Sequence, residues 1–292
     1  MTISRKIEEL SSSFSSKHKK VAKYILENHK KSAFMNSLEL AAELGVSNPT
    51  IIRFARILGY KGFREFQSAL QNEVQNELSA LERRAYIRVE KAPNTFSDVF
   101  SLEIENIRMV YEQLDKTELK KTVELLQASE LVYVYGKQIS ESVASFAAYT
   151  LGKIKDNVRL VEKWSFQDET ALSHCTGRCC ALVIALPRYP TSTMRFLDFL
   201  HERNIPAIVL TGAGDSFPQD KHFECFLTAP IRYYSFIDPI ASVFCLVNAI
   251  AAGIIRNKGT NEIEALNAFE RYVTKNHIYE QGPRTSPIDI SQ

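Results

Sequence analysis

Apolar residues recur at spacings of three and four along the first third of the chain, the period that gathers side chains on one face of an α-helix. Val21, Tyr24 and Ile25 open one such stripe, and Leu38, Ala41 and Ala42 open a second, which Gly45 ends. Phe63, Phe66, Leu70, Val74, Leu78 and Leu81 form a third, which predicts a long amphipathic helix. Polar residues and Pro93 break the period between Glu82 and Ser97, the expected linker. A different rhythm follows. Short β-branched or aromatic runs at Leu131–Tyr135, Val158–Val161, Ala181–Leu186, Ala207–Thr211 and Phe223–Leu227 read as strands. Helical stretches at Ser140–Lys155, Thr191–Arg203 and Pro239–Arg256 alternate with them. Alternation of this kind predicts a parallel sheet covered on both faces. The expected organisation is an all-α helix-turn-helix domain at 1–81, a linker at 82–97, an α/β doubly wound parallel-sheet domain at 98–280 and a frayed tail at 281–292.

Composition agrees with two domains: 292 residues, 45% apolar and 24% charged, exceed one comfortable core. No run approaches the ~20 apolar residues of a membrane span, and the first residues lack a signal-peptide core, so no membrane partner and a cytoplasmic location are expected. Five cysteines, three of them at Cys175, Cys179 and Cys180, do not make an even disulfide framework. They also lack the paired spacing of a zinc site, although His174 is adjacent, and small buried thiols are the expectation. The net charge of +2 conceals a division: residues 1–72 hold 12 Lys/Arg against 6 Asp/Glu, which leaves 24 against 28 for the remainder. The basic excess sits where the helical pattern is, as a nucleic-acid partner requires.

Within Ser37–Arg56, Leu40, Leu44, Val46, Ile51 and Phe54 are expected to face inward, and small Ala41 lets two helices approach. Gly45 supplies the sharp turn between them. Ser47 is placed to cap the second helix and Pro49 falls in its first turn. With Ile51, Phe54, Ala55 and Leu58 buried, Pro49, Thr50, Arg53 and Arg56 point away from the core toward a major groove. Arg53 is suited to a bidentate pair with guanine, Thr50 and Pro49 to base edges, and Ser47 and Asn48 to phosphate at the helix N-terminus. Lys61 and Arg64 follow as backbone contacts, and Ser37 opens the candidate double-stranded DNA surface. A plain helical bundle with solvated arginines is the competing reading.

The run LAAELGVSNPTIIRFARILGYKGFREF, from Leu40 to Phe66, resembles the N-terminal domain of RpiR/MurR-type bacterial transcriptional regulators. The resemblance rests on Ser47, Thr50, Ile51 and Arg53, followed by Leu58, Gly59, Tyr60, Gly62 and Phe63. It implies a second, SIS (sugar isomerase) domain that binds phosphosugars, in agreement with the strand and helix alternation. Two loops at strand ends then become the candidate effector site. Gly136, Lys137, Gln138 and Ser140 follow the first strand, and Gln138 stands where the SIS pattern has a second glycine. After Leu186 the usual serine, glycine and threonine loop is replaced by Pro187, Arg188, Tyr189, Pro190, Thr191 and Ser192. There Arg188 offers a planar cationic fork for phosphate or carboxylate, and Thr191 or Ser192 is the expected helix cap. An ordinary turn with an exposed arginine has the same sequence. Trp164 is a candidate for the pocket or for the core, and Asp215 and Asp238 are expected caps.

The function expected is operator binding modulated by a phosphosugar or sugar acid, with no cofactor or metal implied. A homodimer or homotetramer is expected, with Ser140–Lys155 and Pro239–Arg256 as its surfaces. A sugar-phosphate isomerase with a DNA head is the alternative, for which His174, His201, Glu141 and Glu169 are present without a recognisable catalytic spacing. An effector-free nucleoid-type binder is a third.

Overall fold

In a computed structural model, the structure describes residues 3–75, 78, 81–82, 96–173, 175, 179–212, 217–218, 220–233, 237–258 and 261–279. Most of the expected linker, the tail, His174 and Asp215 lie outside the described residues.

Six helices build the N-terminal unit: α1 Ile3–Leu10, α2 Ser16–Glu27, α3 His29–Ala33, α4 Ser37–Leu44, α5 Asn48–Ile57 and α6 Phe63–Gln75. Phe54 sits at the centre, with its ring 5.3 Å from Phe14 and 6.2 Å from Phe66. Val21 and Ile25 of α2, Leu40 of α4 and Ile51 of α5 close over it. Long polar side chains join α6 to the end of α3: Gln67 Nε2 donates to Met35 O at 2.8 Å and Gln71 Nε2 to Ala33 O at 3.0 Å. Three apolar positions depart from expectation. Leu38, Ala42 and Leu81 are exposed. In α4 the face that meets the core is set by Leu40, Ala41 and Leu44, and at 100° per residue Leu38 and Ala42 fall outside it.

The second unit comprises α7 Phe96–Gln113, α8 Lys116–Ala128, β1 Leu131–Gly136, α9 Ile139–Gly152, β2 Val158–Leu160, α10 Phe166–Ser173, β3 Cys179–Ala185, α11 Thr191–Glu202, β4 Ala207–Thr211, β5 Cys225–Thr228, α12 Ala241–Lys258 and α13 Asn261–Lys275. Every strand pairing is parallel and the order is β2-β1-β3-β4-β5. Side chains of period two divide the core between the faces. Val132, Val134, Leu182, Ile184, Ile208 and Leu210 point to the side covered by α8, α9 and α12. Tyr133, Tyr135, Ala181, Val183, Ala207 and Val209 point to the side covered by α10 and α11. The doubly wound α/β architecture is therefore as expected, with shifted ends: β3 begins at Cys179, β5 spans Cys225–Thr228, and α7 takes in Phe96 and Ser97 from the expected linker. Helix α10 has no clear signature in the apolar pattern, because its sequence is only weakly amphipathic.

Helices α9 and α12, the expected pairing surfaces, spend much of their apolar character within the chain, since Val143, Ala144, Ala147 and Leu151 of α9 and Val243, Leu246, Val247, Ile250 and Ile254 of α12 are all buried in one cluster against the sheet. Ile139 and Tyr149 of α9 stay exposed. Trp164 packs edge-on against Phe196 and Phe199 at 4.7 and 4.8 Å, so it belongs to the core. Cys179 and Cys180 are buried on opposite faces of β3, and burial pushes their thiols up to about 12 and about 11. Among the described residues all five cysteines are free, and no helix is long and apolar enough to cross a membrane.

Candidate functional site

The head's candidate surface starts from a capping box. Asn36 Oδ1 accepts from the amides of Leu38 and Glu39 at 2.9 Å each, while Glu39 Oε2 accepts from Asn36 N–H at 2.7 Å. Three amide donors at the start of α4 are thereby satisfied. The cap thus lies one residue before Ser37, which opens the helix half-buried; the N-x-x-E spacing was the signal for it. Gly45 ends α4 at φ 60°, ψ 37°, a left-handed conformation, and the next amide, Val46 N–H, reaches back to Ala41 O at 3.0 Å. This closure turns the chain directly into α5.

Ser47 holds the N-cap position of α5, but its hydroxyl pairs with Thr50 Oγ1 at 2.8 Å and makes no side-chain bond to a helix amide. That leaves amide donors at the helix start without a side-chain partner, in the position where a phosphate is most favourably received. Ile51, Phe54, Ala55 and Leu58 are buried, whereas Pro49, Arg53 and Arg56 are exposed with Thr50 half-buried beside them. Asn48 is half-buried, with Oδ1 turned inward. Lys61 and Arg64 are exposed past the end of α5, where Lys61 N–H donates to Glu65 Oε2 at 2.6 Å. The one helix therefore presents a two-arginine face with further cations beyond its C-terminus.

The second candidate site lies where β1 is flanked by β2 on one side and β3 on the other, the switch point at which open parallel sheets leave a crevice. A cavity of about 340 Å³ opens there, lined by Lys137, Gln138, Ile139 and Ser140 after β1, by Leu186, Pro187, Arg188 and Pro190 after β3, and by Tyr233, Asp238, Ile240 and Leu78. The two loops are tied together by Ser140, whose buried Oγ accepts from Leu186 N–H at 3.1 Å. Gly136 makes this possible: a Cβ there would lie 2.5 Å from Ser140 O, so any side chain would push α9 away from β1.

Two of the four non-glycine residues with positive φ among the described residues stand on this cavity, Gln138 at 57° and Arg188 at 65°. With ψ at −130°, Gln138 occupies a region normally reserved for glycine. Strain is being held where two loops converge. Lys137 Nζ donates to Glu162 O and passes 5.5 Å from the Tyr135 ring, with Glu141 at 3.8 Å. Arg188 is exposed and, among the described residues, has no ion-pair partner. Tyr189 turns the other way: its hydroxyl meets Thr211 Oγ1 at 3.3 Å, its ring packs on Phe217, and burial pushes it up to about 12. Gly136, Tyr189, Thr191 and Ser192 support the loop from outside the lining. The N-cap of α11 is Pro190, whose carbonyl accepts from Thr193 and Met194, so Thr191 and Ser192 are already helical and neither caps it.

Asp238, expected as a cap, lines the cavity. The first amide of α12, Ala241 N–H, is served by Glu103 of α7 at 3.2 Å. An Asp-Pro step ahead of an apolar helix does not distinguish these roles, and Tyr233 and Leu78 carried no signal at all.

A helix-turn-helix head followed by a doubly wound domain with a switch-point cavity defines a two-domain, DNA-binding regulator of transcription. Known proteins give the same division. The helix-turn-helix domain of the rpiR family matches residues 1–77 and the SIS domain matches residues 124–250. The chain belongs to the RpiR-type transcriptional regulators with a SIS domain. It is 21% identical over 268 residues to the HTH-type transcriptional regulator HexR of Escherichia coli K12, covering 89% of this chain and 90% of HexR. It is 30% identical over 148 residues to the uncharacterized HTH-type transcriptional regulator YfhH of the same strain, about half of each chain. Among solved structures, NanR of Vibrio vulnificus complexed with ManNAc-6P superposes with a TM-score of 0.55 at 17% identity, covering 93% of this chain and 97% of that one. The sugar isomerase domain of an RpiR transcription factor from Sphaerobacter thermophilus gives 0.55 at 22% identity, covering 61% and 97%. These two likenesses are of fold.

Proposed function

We propose that the protein adjusts its hold on an operator in response to a small carbohydrate metabolite bearing a phosphate or carboxylate, taken up in the switch-point cavity. The observation that carries this reading is that Arg188, held at positive φ and without an ion-pair partner among the described residues, lines one small cavity together with Asp238. The guanidinium suits a planar or tetrahedral anion, and the carboxylate suits the hydroxyl or amine end of the same molecule. That the fold neighbour NanR is complexed with ManNAc-6P lends support. In the head, Pro49, Thr50 and Arg53 read base edges, while Ser37, Ser47, Asn48, Arg56, Lys61 and Arg64 hold phosphates. The effector acts by binding one arrangement of the two domains more tightly than another.

The test is a thermal-shift series on the full chain with ManNAc-6P, glucose 6-phosphate, gluconate and their uncharged parent sugars. An anionic ligand at 100 times its Kd should add about 2.7 kcal/mol of stability. Arg188→Ala should abolish the gain, and the uncharged sugars should give none. A ligand that stabilises the variant as fully as the parent places the effector elsewhere, and turnover of any hit would establish the isomerase alternative.

A further inference from the structure

Arg188 is the crest of a loop whose two flanking residues are seated on the last residue of β4 and the one after it. On one side Pro187 is buried against Gly212: a Cβ at Gly212 would lie 2.9 Å from Pro187 Cδ and 2.7 Å from Ile231 Cδ1, so the proline ring lies where a side chain would go. On the other, Tyr189 turns its hydroxyl to Thr211 Oγ1 at 3.3 Å and its ring to Phe217, with centroids 5.2 Å apart. Thr211 is fully buried and in register with Ala185 of β3, so the seat is fixed. Between these anchors Arg188 takes φ 65° and stays exposed on the cavity. A proline followed by a positive φ is the order of a type II turn, whose second corner favours glycine or asparagine. An arginine there is strained, and Tyr189, which precedes Pro190, is held to extended backbone and has little room to absorb the strain.

We propose that Tyr189, Thr211 and Gly212 form a platform that positions Arg188 for the anionic end of the effector, so that they set its affinity although none of the three lines the cavity. The inference rests on the functional reading above and deepens it. A guanidinium on a free loop must be ordered when it binds, and that ordering subtracts from affinity. One already held by its neighbours loses less freedom. The other cation on the cavity wall is committed elsewhere, since Lys137 Nζ donates to Glu162 O with Glu141 at 3.8 Å. The direction of Arg188 therefore decides where an anion is received. The platform also accounts for Thr211 itself. It is the polar residue of an otherwise apolar strand, Ala207–Thr211, and it is 0% exposed. A buried hydroxyl is costly unless it is bonded, and valine would fill the same space in the sheet.

Two readouts on the full chain separate positioning from support of the fold. Without ligand, Arg188→Gly should raise the urea midpoint followed by Trp164 fluorescence by about 0.5 M, because glycine relieves the left-handed strain. In a Tyr189→Phe or Thr211→Val background the same change should raise it by less than about half as much, because the loop has already relaxed. Side chains that only support the fold would leave the two effects additive. With ligand, calorimetric titrations of ManNAc-6P, glucose 6-phosphate and gluconate should show the binding of an anion weakened about 10-fold by Tyr189→Phe and by Thr211→Val, with far-UV circular dichroism unchanged. Gly212→Ala, which lifts Pro187, should weaken it as well. Additive midpoints, or parent affinity in Tyr189→Phe and Thr211→Val alike, would each overturn the proposal. If the parent binds none of the three anions while the midpoints stay non-additive, the functional reading falls, and with it the platform's part in binding, while β4 still holds Arg188.

Discussion

The head and the sheet domain reach their candidate sites by opposite routes. In the head one helix suffices: α5 buries Ile51, Phe54, Ala55 and Leu58 and, by the same rotation, exposes Pro49, Arg53 and Arg56. Core and candidate face are two sides of a ten-residue segment. In the sheet domain the cavity is assembled from segments far apart, with Ser140 and Leu186 meeting across 46 residues and Tyr233 and Asp238 arriving later still. In the head the placing of the candidate face follows from the packing of one helix. The cavity can be altered by a change that leaves the sheet intact.

Trp164 makes this difference measurable, because the chain has a single tryptophan and it is packed in the sheet domain against Phe196 and Phe199 of α11. Fluorescence follows that domain alone, while circular dichroism at 222 nm follows the helices of both. The largest effect expected is from Phe54→Ala. Removing a ring that is 1% exposed and in contact with Phe14 and Phe66 should cost about 3–5 kcal/mol. Urea denaturation should show part of the helical signal lost early and the Trp164 transition unmoved. A coincident shift of both signals would mean the two units unfold as one.

Gly136→Ala should do the reverse. The added methyl meets backbone at 2.5 Å, which no rotamer change relieves, and overpacking of this kind should cost about 2–3 kcal/mol. The Trp164 transition should move to lower urea while operator affinity measured on a single half-site stays within twofold. Gly45→Ala is the matching change in the head, where nothing lies within 4 Å and the cost is conformational only. At φ 60° it should be about 1 kcal/mol, read in the helical signal. If Gly45→Ala proves as costly as Gly136→Ala, steric closeness is not what sets the second glycine apart.

How much of each region the sequence disclosed follows the same division. Turn chemistry and three-to-four spacing are local, so Gly45, Ser47, Pro49 and the inward face of α5 stand where the pattern puts them. Even there, Ser47 binds Thr50 in preference to a helix amide, since hydroxyl rotation is decided by neighbours and not by spacing. The alternation of strands and helices disclosed the sheet, and β1 with its glycine disclosed one wall of the cavity. The remainder was hidden because Tyr233 and Asp238 become cavity residues only after the chain has crossed the sheet and returned, and Leu78 arrives from the N-terminal helical core. The apolar runs of α9 and α12 are largely taken up by the chain's own core. Composition shows that a helix must be covered and does not show whether its own chain does the covering.

The smallest change expected has the opposite sign. Gln138 holds φ 57° and ψ −130°, a conformation that costs a side-chain-bearing residue about 1–3 kcal/mol and glycine almost nothing. Glycine gives back about 0.5–1 kcal/mol through greater freedom in the unfolded chain. Gln138→Gly should therefore stabilise the sheet domain by about 1 kcal/mol, moving the Trp164 transition to higher urea and leaving the head's helical signal in place. If the strain is maintained to hold the Gln138 side chain against a ligand, the stabilised variant should also lose affinity for the anionic sugar proposed to bind at Arg188. Stabilisation with undiminished affinity would confine the glutamine to the backbone turn, and no stabilisation would mean that the loop relaxes differently around glycine. Strain of this type has no counterpart in the described residues of the head, where the positive-φ positions, Gly45 and Gly59, are both glycine.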